Sequence, residues 1–183
     1  MATKYPELAK LLEKRSLRRG EFTLASGRKS SYYIDGKLTC LDPHGATAIA
    51  EAILAEIADL KVDAVGGMDM GATPIVGSVA VASLRAGRPL PTFVVRKEAK
   101  AHGTMKLIEG PIPATPSKVV VIDDVVTSGE SILKAIDAVQ KAGHEVVLAI
   151  AVLDRGAGAV DALARRKVPY RPLVTLTDIG INS

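Results

Sequence analysis

The stretch KVVVIDDVVTSGES, residues 118–131, decides the fold of this chain. It starts with a wholly apolar run at 119–122, which predicts a strand buried on both faces of a sheet. Two carboxylates, Asp123 and Asp124, follow this strand, and a turn of small residues leads into an amphipathic helix predicted over 130–142. Ligands of parallel α/β sheets bind beyond the carboxyl ends of strands, where helix N-termini offer free N–H groups to phosphate. The pattern therefore predicts a site for a phosphate ester that also carries hydroxyls and a divalent cation.

Strand and helix patterns alternate on both sides of this stretch. Apolar runs predict further strands at 62–66, 92–96, 145–153 and 171–176. Amphipathic patterns predict helices at 5–19, 42–60, 73–86 and 157–166. We therefore expect an α/β fold, a mainly parallel sheet flanked by helices on both faces, in a single domain over 1–183. A small N-terminal addition, 1–40, contributes the first helix and two short strands at 22–24 and 31–35.

The bulk composition fits one domain with a sizeable core. The chain has 183 residues, of which 48% are hydrophobic and 3% aromatic, and this favours an interior of Ala, Val and Leu. Its net charge of +4 is compatible with an anionic ligand but argues only weakly for nucleic acid. Cys40 stands alone, and no Cys/His grouping has the spacing of a zinc site. Because no segment resembles a signal peptide or approaches ~20 uninterrupted apolar residues, we expect a cytoplasmic protein without a membrane partner.

A long polar stretch, 97–117, interrupts the alternation. Structureless loops of this length in compact domains are usually functional lids or disordered segments. The stretch carries Gly103, Gly110 and part of a basic cluster in which the single acid is Glu98. The members of that cluster are Arg85, Arg88, Arg96, Lys97, Lys100 and Lys106. Since a strand is predicted on either side, we interpret 97–117 as a flexible catalytic lid.

Three segments together resemble the orotate phosphoribosyltransferase family, a branch of the type I phosphoribosyltransferases. They are FTLASGRKSSYYID at 22–35, RKEAKAHG at 96–103 and the stretch at 118–131, and their order matches the family's. The resemblance covers residues 20–155 and implies transfer of phosphoribose from 5-phosphoribosyl 1-diphosphate (PRPP) to orotate, in pyrimidine (UMP) biosynthesis. It also implies Mg²⁺, held mainly by substrate oxygens and water. Finally, it implies a homodimer in which the lid of one subunit reaches the active site of the other.

The resemblance assigns the binding of PRPP to two groups of residues. Asp123 and Asp124 would contact the ribose hydroxyls and help to organise the magnesium–diphosphate. The residues whose amides would cradle the 5′-phosphate are Val125, Val126, Thr127, Ser128, Gly129, Glu130 and Ser131. The residues that would bind and neutralise the diphosphate are Arg96, Lys97, Lys100 and His102. Cations placed where negative charge develops stabilise the transition state most, so Lys100 joins the two acids as a candidate catalytic residue.

A second set of residues is implied for orotate. Arg155 resembles the residue that meets the orotate carboxylate or a ring carbonyl, and its planar fork suits such bidentate recognition. From the residues alone, an ion pair of Arg155 with Asp154 or Asp161 is an equal alternative. Thr127 resembles a hydroxyl near the pyrimidine, and Tyr32 and Tyr33 resemble an aromatic pair near orotate. Adjacent strand residues point to opposite faces, so we expect one of these tyrosines in the core.

Two positions depart from the family pattern, because some members have lysine where this chain has Ala25 and Met70. Arg28 or Lys29 would then supply a replacement charge, or affinity would depend more heavily on the lid. The loop GGMDMGA at 66–72 follows a predicted strand, and its glycines would let the backbone approach a diphosphate closely. Backbone groups at 69–72 are therefore further candidates.

Two alternative functions would use the same residues to bind PRPP. One is a phosphoribosyltransferase for a purine or for uracil. The other is a regulator that senses PRPP and binds nucleic acid, although a separate DNA-binding module is lacking and aromatic platforms for single strands are scarce. Two nucleotide-binding motifs are excluded. The segment GAGAVD at 156–161 lacks the last glycine of a dinucleotide fingerprint, and no GxxxxGK[ST] loop occurs.

Overall fold

The apolar runs of the sequence form the strands of a central sheet. The computed structural model describes residues 3–23, 27, 29–98 and 107–181. Within them the strands are β1 (Leu17–Thr23), β2 (Lys29–Ile34), β3 (Ala64–Met68), β4 (Thr92–Val95), β5 (Ile108–Glu109), β6 (Lys118–Val126), β7 (Glu145–Asp154) and β8 (Tyr170–Thr175). The helices are α1 (Pro6–Ser16), α2 (Lys37–Cys40), α3 (Pro43–Glu56), α4 (Thr73–Arg85), α5 (Glu130–Lys141) and α6 (Ala159–Arg165). A short 3-10 turn, Thr177–Ile179, follows β8.

The central sheet contains a point at which the chain changes its direction of travel. The strand order is β5-β4-β3-β6-β7-β8, with β5 antiparallel and the other neighbours parallel. From β3 the chain passes through α4 to β4 on one side, and from β6 it passes through α5 to β7 on the other. The carboxyl ends of β3 and β6 therefore flank a topological switch point, where open α/β sheets bind ligands.

Helices cover both faces of the sheet, which confirms the expected α/β fold. On one face α1, α3 and α4 contribute side chains such as Leu12, Ile53 and Val79. On the other face α5 and α6 contribute side chains such as Ile136 and Leu163. The side chains of 119–122 are fully buried and alternate between these two layers, as the pleat of a strand requires.

The strand that carries the acid pair is longer than the sequence predicts. β6 continues to Val126, because Val125 and Val126 pair with Leu153 and Asp154 of β7. Asp123 and Asp124 therefore lie inside the last hydrogen-bonded part of β6 and not beyond the end of the strand. This ladder fixes the direction of both carboxylates, since alternate strand residues point to opposite faces.

The N-terminal region differs most from its prediction. The helix predicted over 5–19 ends at Ser16, because Leu17 pairs with Ile34 and starts a separate antiparallel sheet of β1 and β2. Helix α2 was not predicted, since four residues carry too little periodicity. In the stretch 97–117, expected without a strand, Ile108 pairs with Val95 and adds β5 to the edge of the sheet.

Candidate active site

The two aspartates on β6 lie in different environments although they are adjacent. Asp123 is 4% exposed, and its Oδ1 accepts a hydrogen bond from the Asp124 amide at 3.0 Å. Burial and, next in importance, the negative charge of Asp124 together raise the pKa of Asp123 from an ordinary 3.8 to about 7, although hydrogen bonds from the Asp124 amide and the Ser131 hydroxyl oppose the rise. Asp124 is half-buried. The pair therefore offers one proton-sharing carboxyl and one more accessible acceptor.

Two backbone segments close around this pair from different sides, and glycines make the approach possible. A Cβ at Gly71 would lie 2.5 Å from Asp124 Oδ1 and 2.8 Å from Asp123 Oδ1. A Cβ at Gly36 would lie 2.9 Å from Asp124 Oδ2. Both segments therefore touch the carboxylates directly, and any side chain at either position would displace them.

The loop that carries Gly71 is fixed at both ends. The Asp69 amide donates to the Val95 carbonyl at 2.8 Å, and the Thr73 hydroxyl donates to Asp69 Oδ1 at 2.7 Å. The Asp69–Met70 peptide bond is cis. The loop thus lies over the ends of β3 and β4, beside the acids of β6.

Gly66 and Gly67 do not belong to this loop, although the sequence suggested that they did. Both lie in β3. A Cβ at Gly66 would collide with the Phe93 ring, and one at Gly67 with the Ile122 carbonyl. These two glycines therefore serve the packing of the sheet and not the binding of a ligand.

The turn after β6 forms the start of α5. Gly129 has φ +84°, a left-handed conformation that a side chain would strain. The Leu133 amide makes the first bond of the helix, to the Gly129 carbonyl at 2.9 Å. The amides of the preceding first turn therefore have no carbonyl within the helix to donate to, which is the arrangement that binds phosphate at helix N-termini.

A cavity of about 720 Å³ joins these parts, a volume within the usual range for small-molecule sites. It is lined by Asp123, by residues 125–131, and by Arg96 and Lys97 from the end of β4. The structure thus brings one of the acids, the phosphate-type turn and two of the predicted cations to a single cleft. Arg96 is positioned by the Leu107 carbonyl, which its amide contacts at 2.8 Å, and by Glu109 Oε1, 3.3 Å from its guanidinium.

Arg155 and Tyr32 lie together at the end of β7. The Arg155 guanidinium carbon is 5.4 Å from the centre of the Tyr32 ring, and the Arg155 amide donates to the Val126 carbonyl at 2.9 Å. Its Nε is buried and has no hydrogen-bond partner in the part of the chain that the structure describes. Within the described residues neither Asp154 nor Asp161 forms an ion pair with Arg155, and Asp154 Oδ1 accepts from the Gly156 amide at 2.8 Å. The guanidinium is therefore available to a ligand.

The other residues predicted to bind orotate do not lie against the Arg155 guanidinium as Tyr32 does. Tyr33 points away from Arg155, is 43% exposed, and packs its ring 5.7 Å from that of Phe22. Lys29 is exposed at the start of β2. Thr127 lines the cavity beside the turn. Lys100, His102, Ala25 and Arg28 lie outside the described residues.

Two contributors to the site were not predicted, and a third was predicted in another role. The α2 turn approaches the acids, as shown by Gly36 and by the pKa of Lys37, which is raised by its bond to Asp35 and also by the charge of Asp124. Gly71 was a candidate through its backbone, as part of the 69–72 loop expected to approach a diphosphate, but its close approach to the acid pair was not predicted. Lys134 lines the cavity from α5, and the Glu130–Lys134 spacing of four residues was the available signal.

The carboxylates of the site suit a metal ion whose other ligands are water and substrate oxygens. Among the described residues, no cluster of three or more His, Cys, Asp or Glu side chains could hold a metal ion. Two neighbouring carboxylates match Mg²⁺, which keeps several waters and is usually bound through one or two carboxylates and substrate phosphates. No helix in the described part of the chain is long and apolar enough to span a bilayer.

The comparisons with known proteins agree with this geometry. A family model described as phosphoribosyl transferase domain matches residues 41–171. An orotate phosphoribosyltransferase of Rhodopseudomonas palustris (strain TIE-1) is 43% identical over 169 residues, covering 91% of this chain and 90% of the relative. A crystal structure of Mycobacterium tuberculosis H37Rv orotate phosphoribosyltransferase in complex with Fe(III) dicitrate superposes with a TM-score of 0.87 at 39% identity, over 97% of this chain and 99% of that one. A second structure of the M. tuberculosis enzyme, in complex with PRPP, gives a TM-score of 0.81 at 35% identity, over 97% and 99% of the two chains.

Proposed function

The chain belongs to the orotate phosphoribosyltransferase family, and we propose that the cleft at the ends of β3 and β6 is where it transfers phosphoribose from PRPP to orotate. The products are orotidine 5′-monophosphate and diphosphate, in the biosynthesis of pyrimidine nucleotides. The observation that supports this site most strongly is that Asp123, the 125–131 turn and the two cations that follow β4, Arg96 and Lys97, line one cavity. Each of these parts matches one chemical group of the donor.

The donor would be held by both ends of its sugar. Asp123 and Asp124 accept hydrogen bonds from the ribose hydroxyls and orient the Mg²⁺–diphosphate. The amides of the turn from Val125 to Ser131 bind the 5′-phosphate, helped by the positive end of the α5 dipole. Mg²⁺ supplies charge neutralisation on the diphosphate when it is bound.

The chemistry needs charge stabilisation more than a nucleophile. The bond from ribose C1 to the diphosphate oxygen breaks, and its electron pair leaves with the diphosphate. A ring nitrogen of orotate bonds to C1 from the opposite face, and the proton that this nitrogen loses is taken up by the departing diphosphate. Arg96 and Lys97 lie where cations would meet the departing diphosphate, and Lys100 and His102 follow them in sequence. Such charges stabilise the transition state more than the bound substrate.

The acceptor base would lie against Arg155. Two features favour recognition of a planar anionic base: the guanidinium of Arg155 lies above the Tyr32 ring, and its buried Nε has no hydrogen-bond partner among residues 3–23, 27, 29–98 and 107–181. Thr127 contacts the pyrimidine from the turn. Tyr33 and Lys29 lie farther from this arrangement, so we give them at most a supporting part.

A homodimer would complete the site, and an apolar groove between α3 and α4 is the surface we propose for it. The groove is lined by Leu41, Val81 and Ala82, and Leu41 and Val81 are 70% and 54% exposed. Thr73, which also lines it, contacts the Asp69 loop of the active site. A partner seated there would lie next to the cleft, as needed for a lid, residues 97–117, that serves the other subunit. The proposed location is the cytoplasm, because both substrates are anions for which a bilayer is a barrier.

A turnover assay with a panel of bases tests the function. With PRPP and Mg²⁺, we expect conversion of orotate and none of adenine, hypoxanthine or uracil. Arg155→Ala should raise the KM for orotate by about tenfold or more while the KM for PRPP stays near that of the wild type. Turnover of a purine or of uracil, without turnover of orotate, would show that orotate is not the acceptor. No turnover of any base, together with a gel shift of DNA or RNA, would support a PRPP-sensing regulator instead.

A further inference from the structure

One face of α5 contributes two opposite charges to the cleft. Glu130, Lys134 and Ala138, spaced by four residues, all line the cavity that contains the 125–131 turn. Lys134 Nζ lies 2.7 Å from Glu130 Oε1. The ion pair therefore sits at the mouth of the anion-binding turn.

The direction of helical side chains places the Lys134 ammonium over that turn. Side chains on an α-helix lean toward its N-terminus, so a lysine one turn into the helix covers the first turn. The contact with Glu130 shows that Lys134 takes this direction. Its four-carbon stem then lets the ammonium reach a group bound at the first-turn amides by rotation about side-chain bonds alone.

The negative charge of Glu130 opposes phosphate binding at this turn, and the positive charge of Lys134 compensates for it. A carboxylate at the first helical position repels a phosphate that binds to the same amides. The hydrogen bond from Lys134 holds the pKa of Glu130 below its ordinary value, so the glutamate stays charged and paired. Because both side chains are exposed, by 66% for Lys134 and 73% for Glu130, the pair contributes little to folding. Its position suggests that it serves binding.

We propose that Lys134 is a phosphate-positioning residue, which Glu130 holds over the turn and which moves onto the 5′-phosphate when the donor binds. This inference rests on the proposed function, since it assumes that the 125–131 turn binds the phosphate of a sugar. Lys134 adds a mobile charge to the fixed amides and so favours sugars that carry a 5′-phosphate. Glu130 keeps the charge of the cleft mouth balanced when no phosphate is present.

Calorimetric titration with ribose 5-phosphate, and separately with PRPP and Mg²⁺, tests the inference. Lys134→Ala should weaken both ligands by about threefold to tenfold and raise the KM for PRPP, with kcat and the affinity for orotate unchanged. Lys134→Arg should restore most of the affinity. Adding Glu130→Gln to Lys134→Ala should recover part of the loss, because the uncompensated carboxylate is removed. The loss should also shrink as salt is raised.

Lys141→Ala is the matched control, because Lys141 is exposed on the same helix but does not line the cavity. It should bind ribose 5-phosphate as the wild type does. Equal affinities of Lys134→Ala and wild type for ribose 5-phosphate would overturn the inference and leave the orotate reaction untouched. A different result would contradict the proposed function, namely the absence of orotate turnover by the wild-type enzyme.

Discussion

At the scale of single residues, the site depends on giving neighbouring side chains different surroundings. Asp123 is buried and lines the cleft, while Asp124 is half-buried and lies against Gly36 and Gly71, although both carry the same group. Arg155 makes no ion pair with Asp154, whose Oδ1 accepts from the Gly156 amide, and its buried Nε has no hydrogen-bond partner within the described part of the chain. The sequence was enough to predict that all three residues belong to the site. The different surroundings could not, since they depend on the pairing of β6 with β7 and on where Tyr32 lies.

The pKa of Asp123 gives the site a pH dependence. A carboxyl raised from 3.8 to about 7 by folding binds more protons in the folded state, so it lowers the stability as pH rises from about 4 to 7 and has no further effect above that. Ionised Asp123 is the better acceptor for ribose hydroxyls, so kcat/KM for PRPP should rise with pH through about 7.

The comparison of wild type with Asp123→Asn checks both effects. The variant should lose the inflection in the profile of kcat/KM for PRPP, and its denaturant midpoint should fall less than that of the wild type between pH 5 and 7. A wild-type profile that is flat between pH 6 and 8 would contradict the assignment.

At the scale of elements, the strands and helices of the sheet were predictable because their periodicity covers many residues. The long helices and the parallel strands were placed close to their observed bounds. The short elements that shape the site, α2 and the 69–72 loop, carry no such pattern. Their approach to the acids is encoded by single glycines, and a glycine in a sequence does not show what it lies against. Gly66 and Gly71 illustrate this, since one packs against Phe93 and the other against the acid pair.

The close approach of the 69–72 loop predicts a strong effect of one methyl group. In Gly71→Ala the new Cβ would lie 2.5 Å from Asp124 Oδ1, so either the loop or the acid must move. Because a displacement of about 1 Å in a catalytic site costs up to ~100-fold in rate, kcat/KM for PRPP should fall by about that factor.

Gly36→Ala approaches Asp124 from the other segment, at 2.9 Å, and should produce the same defect. In both variants the affinity for orotate should change less than the affinity for PRPP. A Gly71→Ala enzyme with wild-type kinetics would show that the loop does not position the acids.

At the scale of the whole molecule, the switch point of the sheet explains why the parts meet. β3 and β6 are neighbours, and the chain leaves them in opposite directions, so their ends open a crevice that no crossover covers. The residues matched by the family model, 41–171, contain β3, β6 and the helices that follow them. The fold class could be predicted from alternation alone, but the strand order, and with it the position of the cleft, could not.

The proposed dimer surface can be tested with one charge. Val81→Asp places a carboxylate in the groove between α3 and α4, so sedimentation should show a shift from dimer to monomer. The activity should fall with it, because in the proposed dimer the lid of each subunit would serve the active site of the other. Val160→Asp is the control, because Val160 is a similarly exposed valine, 57%, on α6 and outside the groove. A monomeric wild-type enzyme with full activity would contradict the shared site.

The binding of PRPP by the acid pair is the central claim, and calorimetry measures it directly. Titration of PRPP with Mg²⁺ into the wild type should show binding, and into the Asp123→Asn/Asp124→Asn variant it should show an affinity lower by about a hundredfold. The variant keeps the shape of both side chains, and its unfolding midpoint shows that the fold is retained. If the folded variant binds PRPP as tightly as the wild type, the acid pair does not hold the sugar.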